Sequence, residues 1–491
     1  MEKHILSKST FIKGVQCTKA LYFHKHHREL RDDLSAAQEA IFAQGTSVGE
    51  LAQQLFPGGV DCTPESYYDF QAAVIRTHEE IAKGSKVIYE AAFQFNGVLA
   101  ALDILVEHAD GWCAYEVKSS TTVSGTNHLD ATIQYYAITN SGIALKDISI
   151  VHINNQYVKN GPIDVNELFT VTSVKEEVLQ LLPGIPNKVN ALKSVLLQPE
   201  APTVEIGTHC SSPYQCDFAG HCWKHVPAYS VFNIARLSVE KKFELYGNNI
   251  LHLKDIPETF PMNANQWMQV RSEANNEAFI DKAAIRKFVS ELNYPIYHLD
   301  FETFTSAVPI FDGSRPYQQL VFQYSLHVED EDGRVEHKEY LAETNGEDPR
   351  IQFIERLIAD CGNTGDVLVY NIGFERGKLF DLIEFSPGHK PPLLHIINRL
   401  KDLMIPFRER WYYTPEMQGS YSIKKVLPAL VPELSYQDLT IQEGGTASNT
   451  FTTMLQGNFT GDAAQTRQDL LDYCALDTLA MVRILGELKE I

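Results

Sequence analysis

The sequence has no long apolar run and few cysteines. No stretch of about 18 consecutive apolar residues occurs, which excludes a predicted membrane-spanning helix. The opening residues MEKHILSKSTFIKG lack the apolar core of a secretory signal, so we expect a cytoplasmic protein with reduced thiols. Eight cysteines among 491 residues are too few for a disulfide framework, so a local group of cysteines favours a metal site.

Positive charge is also scarce. The chain has 42 Lys and Arg against 63 Asp and Glu, a net charge of −21, which argues against a protein that coats nucleic acid with its whole surface. A basic segment nevertheless runs from Lys3 to Arg31. Its candidate phosphate contacts are Lys13, Lys19, Lys25 and Arg28. A solvated helix face explains the same charges as well as nucleic-acid binding does.

The pattern of the chain divides it into three regions. Residues 1–225 combine helical and strand-like segments, residues 226–292 are rich in helix formers, and residues 293–491 alternate strands with helices. We therefore predict two α/β domains joined by a helical connector. The Gly, Ser and Thr residues between Gly444 and Gly461 predict a surface loop before the final helix.

A predicted hairpin brings two carboxylates and a lysine together. Two strand-like segments flank the turn dipeptide Asp110-Gly111. A two-residue turn centred on this dipeptide places Asp103 opposite Lys118, with Glu116 diagonal to Asp103 at about 7 to 8 Å. Such carboxylates can hold a divalent metal while the lysine stabilises charge in phosphodiester hydrolysis. A solvent-facing ion pair is the alternative.

These residues resemble the PD-(D/E)xK core of RecB-like nucleases. The matching positions are Glu90, Asp103, Glu116, Lys118, Gln134 and Tyr135. The resemblance implies a restriction-endonuclease-like fold, Mg²⁺ or Mn²⁺ bound by Asp103 and Glu116, and Gln134 beside the active site. Where the family often has a histidine ligand, this chain offers Glu39 or Glu50 as a substitute.

Three cysteines recur at a spacing of six residues. They are Cys210, Cys216 and Cys222, and Cys17 is the best candidate for a fourth ligand. One early cysteine followed by three clustered ones resembles the iron-sulfur subset of RecB-like nucleases, including the CRISPR-associated type. The resemblance implies a 4Fe-4S cluster that joins the two ends of the domain. Zinc is the alternative metal. A further alternative is that these cysteines are simply buried in the core, as expected of Cys62, Cys113, Cys361 and Cys474.

A second acidic group lies in the last region. Asp300 and Glu302 leave the same face of an otherwise apolar strand, so a cationic partner is expected. In the final helix, Asp477 interrupts an apolar stripe one turn after Tyr473. Glu375 follows another buried strand. Edge charges and a satisfied core acid would explain any one of these features alone.

The order of these motifs resembles the DnaQ-like exonuclease family of RNase H-like fold, in its tyrosine variety. The resemblance implies that Asp300, Glu302 and Asp477 hold two divalent ions and that Tyr473 orients the attacking water. The family normally supplies an aspartate in its second motif, and this chain has Glu375 instead.

The two resemblances cover about residues 10–225 and 293–491, and the whole chain resembles an uncharacterised bacterial family with two nuclease-like halves. We expect a cytoplasmic, metal-dependent nuclease that acts as an exonuclease on DNA rather than RNA, with no membrane partner. One alternative is a nucleic-acid-binding or assembly module without turnover. Another is a zinc-stabilised interaction protein. Tyr22, Phe23 and Trp223 are either stacking platforms for bases or core residues.

Overall fold

The structure, a computed structural model, describes residues 6–66 and 69–491. Helices and strands are mixed in both halves of the chain, as the predicted α/β class requires. Within the described part of the chain, no helix has the length and apolar character needed to cross a membrane.

The chain folds into two units, and one of them is not a continuous stretch of sequence. The first consists of Met1–His225 and Ser306–Gln318, and the second of Val226–Thr305 and Gln319–Ile491. The predicted connector over residues 226–292 is therefore part of the second unit. Its apolar residues, including Val231, Leu245 and Val270, form a buried cluster within that unit.

The first unit is built on a mixed, seven-stranded sheet. Its strands are β1 (Leu6–Ser7), β2 (Val60–Asp61), β3 (Val87–Phe95), β4 (Val98–His108), β5 (Gly111–Lys118), β6 (Leu145–Ile153) and β7 (Phe169–Ser173). Strands β2 to β7 lie in chain order, and β1 pairs with β4. Strands β3, β4 and β5 are antiparallel neighbours, whereas β6 runs parallel to β5.

Helices cover this sheet. They are α1 (Lys8–Gln16), α2 (Thr18–His26), α3 (Ala36–Ala52), α4 (Phe70–Lys83), α5 (Gly125–Asn140), α6 (Val165–Leu168), α7 (Lys175–Leu181), α8 (Ile185–Leu196) and α9 (Ala219–Cys222). A capping box between Ser124 and Asn127 starts α5. Because α5 packs on β3, β4 and β6, its inward face is buried, including Ile133 and Ala137.

The second unit contains a five-stranded sheet and a two-stranded one. Their strands are β8 (Phe279–Ile280), β9 (Ile296–Phe304), β10 (Leu320–Glu329), β11 (Val335–Leu341), β12 (Asp366–Val369), β13 (Leu400–Asp402) and β14 (Tyr412–Tyr413). The larger sheet has the order β11-β10-β9-β12-β13. Strand β10 is antiparallel to β9 and β11, and β12 is parallel to both β9 and β13. The central strand is therefore β9, which carries Asp300 and Glu302.

The helices of the second unit include one that the sequence predicts as a loop. They are α10 (Val239–Gly247), α11 (Ala264–Asn275), α12 (Lys282–Ser290), α13 (Arg350–Asp360), α14 (Ile372–Phe385), α15 (Lys390–Asn398), α16 (Ile405–Arg408), α17 (Ile423–Leu430), α18 (Gly444–Leu455) and α19 (Ala463–Lys489). The loop prediction for Gly444 to Gly461 is thus wrong over α18. Gly, Ser and Thr are weak helix formers, but Ala447, Phe451 and Met454 form a buried stripe along α18. The Phe451 ring stacks on Phe322 at 4.1 Å between centroids.

The residue before β12 provides a test of the fold. Gly365 has φ +79°, and a Cβ added there would overlap the backbone carbonyl of Pro295. Gly365→Ala should lower the free energy of unfolding by about 2 kcal/mol or more, read as a fall in the thermal midpoint. Gly377→Ala is the control, because nothing lies within 4 Å of a Cβ at this position inside α14. We expect the control to be neutral or stabilising by about 0.5–1 kcal/mol. Equal midpoints for the two variants would contradict the placement of Gly365.

Candidate functional site

The second unit brings three carboxylates together over the middle of its larger sheet. Asp300 and Glu302 leave one face of β9, and α19 packs across β9 and β10 with Asp477 on its inner side. One ligand oxygen from each of the three side chains lies within 4.8 Å of the others. Among the described residues, this is the one group of three or more His, Cys, Asp or Glu side chains that meets this distance. Glu302 and Asp477 are buried, whereas Asp300 is partly exposed.

Burial makes this cluster unfavourable for negative charge. Desolvation, together with the charges of Asp477, Glu302 and Glu375, raises the pKa of Asp300 well above its usual range. Desolvation and the charge of Asp477 raise the pKa of Glu302 to about 8. Desolvation also raises the pKa of Asp477 to about 6. A divalent cation is the partner that would allow all three groups to ionise together.

Glu375 lies in the first turn of α14, after β12, as the sequence predicts. It is 1% exposed, and its Oε2 atom has no hydrogen-bond partner. Burial raises its pKa to about 8. A buried carboxylate oxygen without a partner needs a proton or a cation. Glu375 also acts electrostatically on Asp300, which places it beside the three-carboxylate group.

Asp402, a further acid in this unit, is engaged in the scaffold. Its Oδ1 accepts hydrogen bonds from the backbone N–H groups of Asn371 (3.2 Å) and Met404 (3.1 Å). Its Oδ2 pairs with Arg408 at 3.3 Å. These bonds fix the turn at the start of α14, which carries Glu375.

Two residues that sequence reasoning missed complete this site. The Tyr436 hydroxyl donates to Asp477 Oδ1 at 2.6 Å. The ammonium of Lys424 lies 5.4 and 5.2 Å from the ring centroids of Tyr436 and Tyr473. Its positive charge lowers the pKa values of Asp300, Glu302 and Asp477 against the effect of burial. The sequence marks Lys424 only as one lysine of a Lys-Lys pair, and nothing local marks Tyr436.

In the first unit, the predicted register of the hairpin is wrong. Ile104 pairs with Tyr115 and His108 pairs with Gly111, so the turn is Ala109-Asp110 rather than Asp110-Gly111. Continued along the strands, this register places Asp103 opposite Glu116, not opposite Lys118. The shift of two residues keeps the same face for each side chain and brings the two carboxylates closer than predicted.

Donors surround Glu116. Its Oε1 accepts hydrogen bonds from the ammonium groups of Lys8 (2.6 Å) and Lys118 (2.5 Å). Its Oε2 accepts one from the amide of Gln134 at 2.9 Å. Lys118 also bonds Asp130 at 2.7 Å. Asp130 and Gln134 are one turn apart on α5, and both turn toward β5.

Four carboxyl groups share this second buried space with the two lysines. Desolvation and the charge of Glu116 raise the pKa of Asp103 to about 8. Desolvation raises the pKa of Glu90 to about 7. Burial alone would raise the pKa of Glu116, but the charges of Lys118 and Lys8 hold it well below its usual range. Asp103 Oδ2 accepts a hydrogen bond from the backbone N–H of Val117 at 2.5 Å.

Sequence reasoning missed Lys8 and Asp130 at this site, and two other proposed ligands lie elsewhere. Lys8 is 108 residues from Glu116 in the sequence, so no local pattern predicts their contact. Glu39 and Glu50, suggested as substitutes for the family's histidine, are exposed on α3. Among the described residues, neither makes a hydrogen bond or ion pair with Asp103, Glu116 or Lys118.

The four cysteines of the predicted cluster line one small cavity. Cys17 lies between α1 and α2, and the other three lie at the far end of the unit's sequence, where the Cys216 N–H bonds the Cys210 carbonyl at 2.8 Å. A tetrahedral zinc with Zn–S bonds of about 2.3 Å places its sulfurs about 3.8 Å apart. No three of these four sulfurs lie within 4.8 Å of one another. Cys62, Cys113, Cys361 and Cys474 are buried, as predicted.

The basic segment is mostly engaged within the first unit. Lys13 pairs with Asp217 at 2.5 Å. Lys19 donates to the Val204 carbonyl at 3.5 Å. Lys25 and Arg28 are exposed, and the Arg28 Nε donates to the His24 carbonyl at 3.1 Å.

Two of the three aromatic residues proposed as platforms for bases belong to the core. Tyr22 is 5% exposed and Phe23 is 6% exposed. Trp223 is partly exposed. Lys3, at the start of the basic segment, lies outside the described residues.

Metal binding to the three-carboxylate group can be tested by thermal unfolding near about pH 8. Mn²⁺ at about 100 times its dissociation constant should stabilise the wild type by about 2.7 kcal/mol. Asp477→Asn should remove that gain, and it should raise metal-free stability by about 1 kcal/mol because one buried, repelling carboxylate is gone. Glu355→Gln, exposed on α13, is the matched control and should behave as wild type. A full metal response in Asp477→Asn would exclude Asp477 as a ligand.

Comparison with known proteins identifies relatives of part of the chain. A family model described as "Domain of unknown function (DUF2779)" matches residues 297–422, which include Asp300, Glu302 and Glu375. The uncharacterized protein UU173 of Ureaplasma parvum is 28% identical over 296 residues, covering 55% of this chain and 42% of that protein. The uncharacterized MG366 homolog of Mycoplasma pneumoniae is 30% identical over 205 residues, covering 38% of this chain and 31% of that protein. The chain thus spans less than half the length of these curated relatives.

Proposed function

We propose that this protein is a metal-dependent nuclease that hydrolyses phosphodiester bonds, with an exonuclease centre of the DnaQ-like type in its second unit. The observation that carries the proposal is the group of Asp300, Glu302 and Asp477, whose ligand oxygens lie within 4.8 Å of one another. Burial raises the pKa of each, so the group is suited to bind divalent cations.

The scaffold around this group supports the proposal. The sheet order β11-β10-β9-β12-β13, with β10 antiparallel to its neighbours, is compatible with an RNase H-like fold. The acids come from the central strand, from the helix after β12 and from the last helix, in the order of the family's motifs. Glu375 departs from the family's aspartate, but its buried oxygen has no hydrogen-bond partner among the described residues, and its charge acts on Asp300.

Each side chain then has a definite role. Asp300, Glu302 and Asp477 hold the cations, which would lower the pKa of the attacking water and stabilise the attacking and leaving oxygens. Tyr473 orients that water, and Tyr436 fixes the Asp477 carboxylate through its 2.6 Å hydrogen bond. Lys424 supplies the nearby positive charge that a phosphodiester anion requires.

We propose a second, RecB-like nuclease centre in the first unit. The neighbouring carboxylates Asp103 and Glu116, with Lys118 beside them, support it. Lys8 is a second cation at this centre and would add positive charge for a phosphate group. DNA is the proposed substrate, on the resemblance to the RecB-like and DnaQ-like families.

We also propose that Cys17, Cys210, Cys216 and Cys222 hold a 4Fe-4S cluster. Their side chains line one cavity, and they come from both ends of the first unit's main segment. The cluster would act as a covalent crosslink between these ends. Its contribution is structural, because it closes a loop of nearly two hundred residues between Cys17 and Cys210.

One observation favours a second candidate function, a nucleic-acid-binding module without turnover. Both oxygens of Glu116 already have protein donors, so a metal ion at this position would have to share the carboxylate with these donors or displace one of them. A first unit that never exchanges these partners would bind a strand without cutting it.

The cluster proposal is tested by metal analysis of anaerobically purified protein. We expect about four iron and four sulfide ions per chain. Cys216→Ser should lose most of both and should unfold at a lower temperature, because a ligand of the crosslink is missing. Cys62→Ala, which changes a buried cysteine of the same unit, should keep its iron. Zinc without iron in the wild type would sink the proposal.

The nuclease proposal is tested by cleavage of end-labelled single- and double-stranded DNA and RNA with Mg²⁺ or Mn²⁺. Asp300→Ala should lower the rate at the second unit's centre by at least about 100-fold. Tyr436→Phe, which removes only the bond to Asp477, should lower it by about tenfold. Lys118→Ala separates the two centres, because a product that it alone abolishes belongs to the first unit. If the wild type binds strands but cuts none of them, the result would support the binding-module function instead.

A further inference from the structure

An open cleft in the first unit has no acidic side chain among the described residues that line it. It encloses about 570 Å³. Its polar lining side chains include Ser120, Thr121, Thr122, Asn155, Arg315 and Gln318. In a chain with 63 Asp and Glu residues, a cleft with one arginine, several neutral donors and no carboxylate favours an anionic ligand.

One wall of the cleft continues directly from the proposed RecB-like centre. Lys118 is the last residue of β5, and Ser120 to Thr122 follow it. The Ser120 carbonyl accepts a hydrogen bond from the Ile153 N–H at 3.0 Å, which holds this wall against β6. The wall that an anion in the cleft would contact therefore begins shortly after Lys118 in the sequence.

The opposite wall is the segment Ser306–Gln318, which the first unit holds firmly. Its Asp312 pairs with Lys159 at 2.6 Å, and the backbone of Lys159 exchanges hydrogen bonds with Gly313 and Ser314. The Tyr317 hydroxyl donates to the carbonyl of Ser119, the residue after Lys118. These contacts fix the segment beside the end of β5.

Arg315 is held in place by its backbone and is free at its side chain. Its N–H donates to the Gln318 side chain at 3.0 Å, so the turn that carries it is ordered. Among the described residues, its guanidinium makes no hydrogen bond or ion pair, and the residue is exposed. A guanidinium in this position can bind two oxygens of one phosphate, and the hydroxyls opposite can donate to the same group.

We propose that this cleft binds the backbone phosphates of a single-stranded nucleic acid that passes Lys118, with Arg315 as the principal contact. The proposal rests on the nuclease function proposed above and adds a strand-binding site to it. Its ligand class is the sugar-phosphate backbone, so DNA and RNA strands share the chemistry that Arg315 recognises.

The test measures binding without turnover. Fluorescent single-stranded DNA and RNA oligonucleotides are titrated with the full chain in EDTA at several salt concentrations, and anisotropy gives the dissociation constant. We expect Arg315→Gln to weaken binding about five- to tenfold. It should also reduce the slope of log K against log salt by about 0.7, the value for one single-strand phosphate. Thr121→Val, which removes a neutral donor, should weaken binding and leave the slope unchanged. Arg76→Gln, exposed on α4, is the control and should change neither quantity.

The outcomes separate this proposal from the nuclease proposal. An unchanged slope in Arg315→Gln overturns the cleft proposal, even if the protein cleaves DNA. A wild type that binds neither oligonucleotide overturns it as well. A reduced slope in a protein that cleaves nothing supports the cleft and refutes the nuclease function.

Discussion

Repulsion between carboxylates in buried space is the constraint on which both candidate centres depend. In the first unit, Lys8 and Lys118 share one oxygen of Glu116, so the protein itself supplies two positive charges for the four carboxyl groups. In the second unit, Lys424 is the nearby cation among the described residues. The pKa values of Asp300 and Glu302 nevertheless remain high. The first unit thus offsets part of the repulsion with its own lysines, and in both centres the carboxyl groups outnumber the nearby lysines.

The scaffold holds the second cluster against this repulsion. Asp300 and Glu302 lie on the central strand of the sheet, which pairs with β10 opposite both residues and with β12 at its other edge over residues 296–298. This pairing holds the strand in place. Next to them, the rings of Phe304, Phe322 and Phe451 pack together and anchor α18 to β9 and β10. Apolar burial of this kind supplies free energy that can offset the cost of the carboxylates. The packing around the carboxylates thus maintains a cluster that would be unstable by itself.

Local sequence patterns predicted the parts of each centre that lie on one element. Alternation in β9 placed Asp300 and Glu302 on one face, and helical spacing placed Tyr473 and Asp477 together. Patterns failed where a distant residue enters, because Lys8 and Glu116 are 108 positions apart and Tyr436 and Asp477 are 41 apart. The hairpin register failed for a smaller reason. The Asp-Gly dipeptide signals a turn nearby, but it does not fix which two residues occupy its centre.

The segment Ser306–Gln318 means that the chain enters the first unit twice. A domain boundary placed near residue 225 or 293 would separate the first unit from this segment, which lies in the sequence between β9 and β10 of the second unit. A gene encoding only the first 225 residues would yield a protein in which the Ser119 carbonyl loses its tyrosine donor and the open cleft loses one wall. Insertions and deletions between β9 and β10 would therefore be restricted during evolution, although loops between neighbouring strands usually vary freely in length.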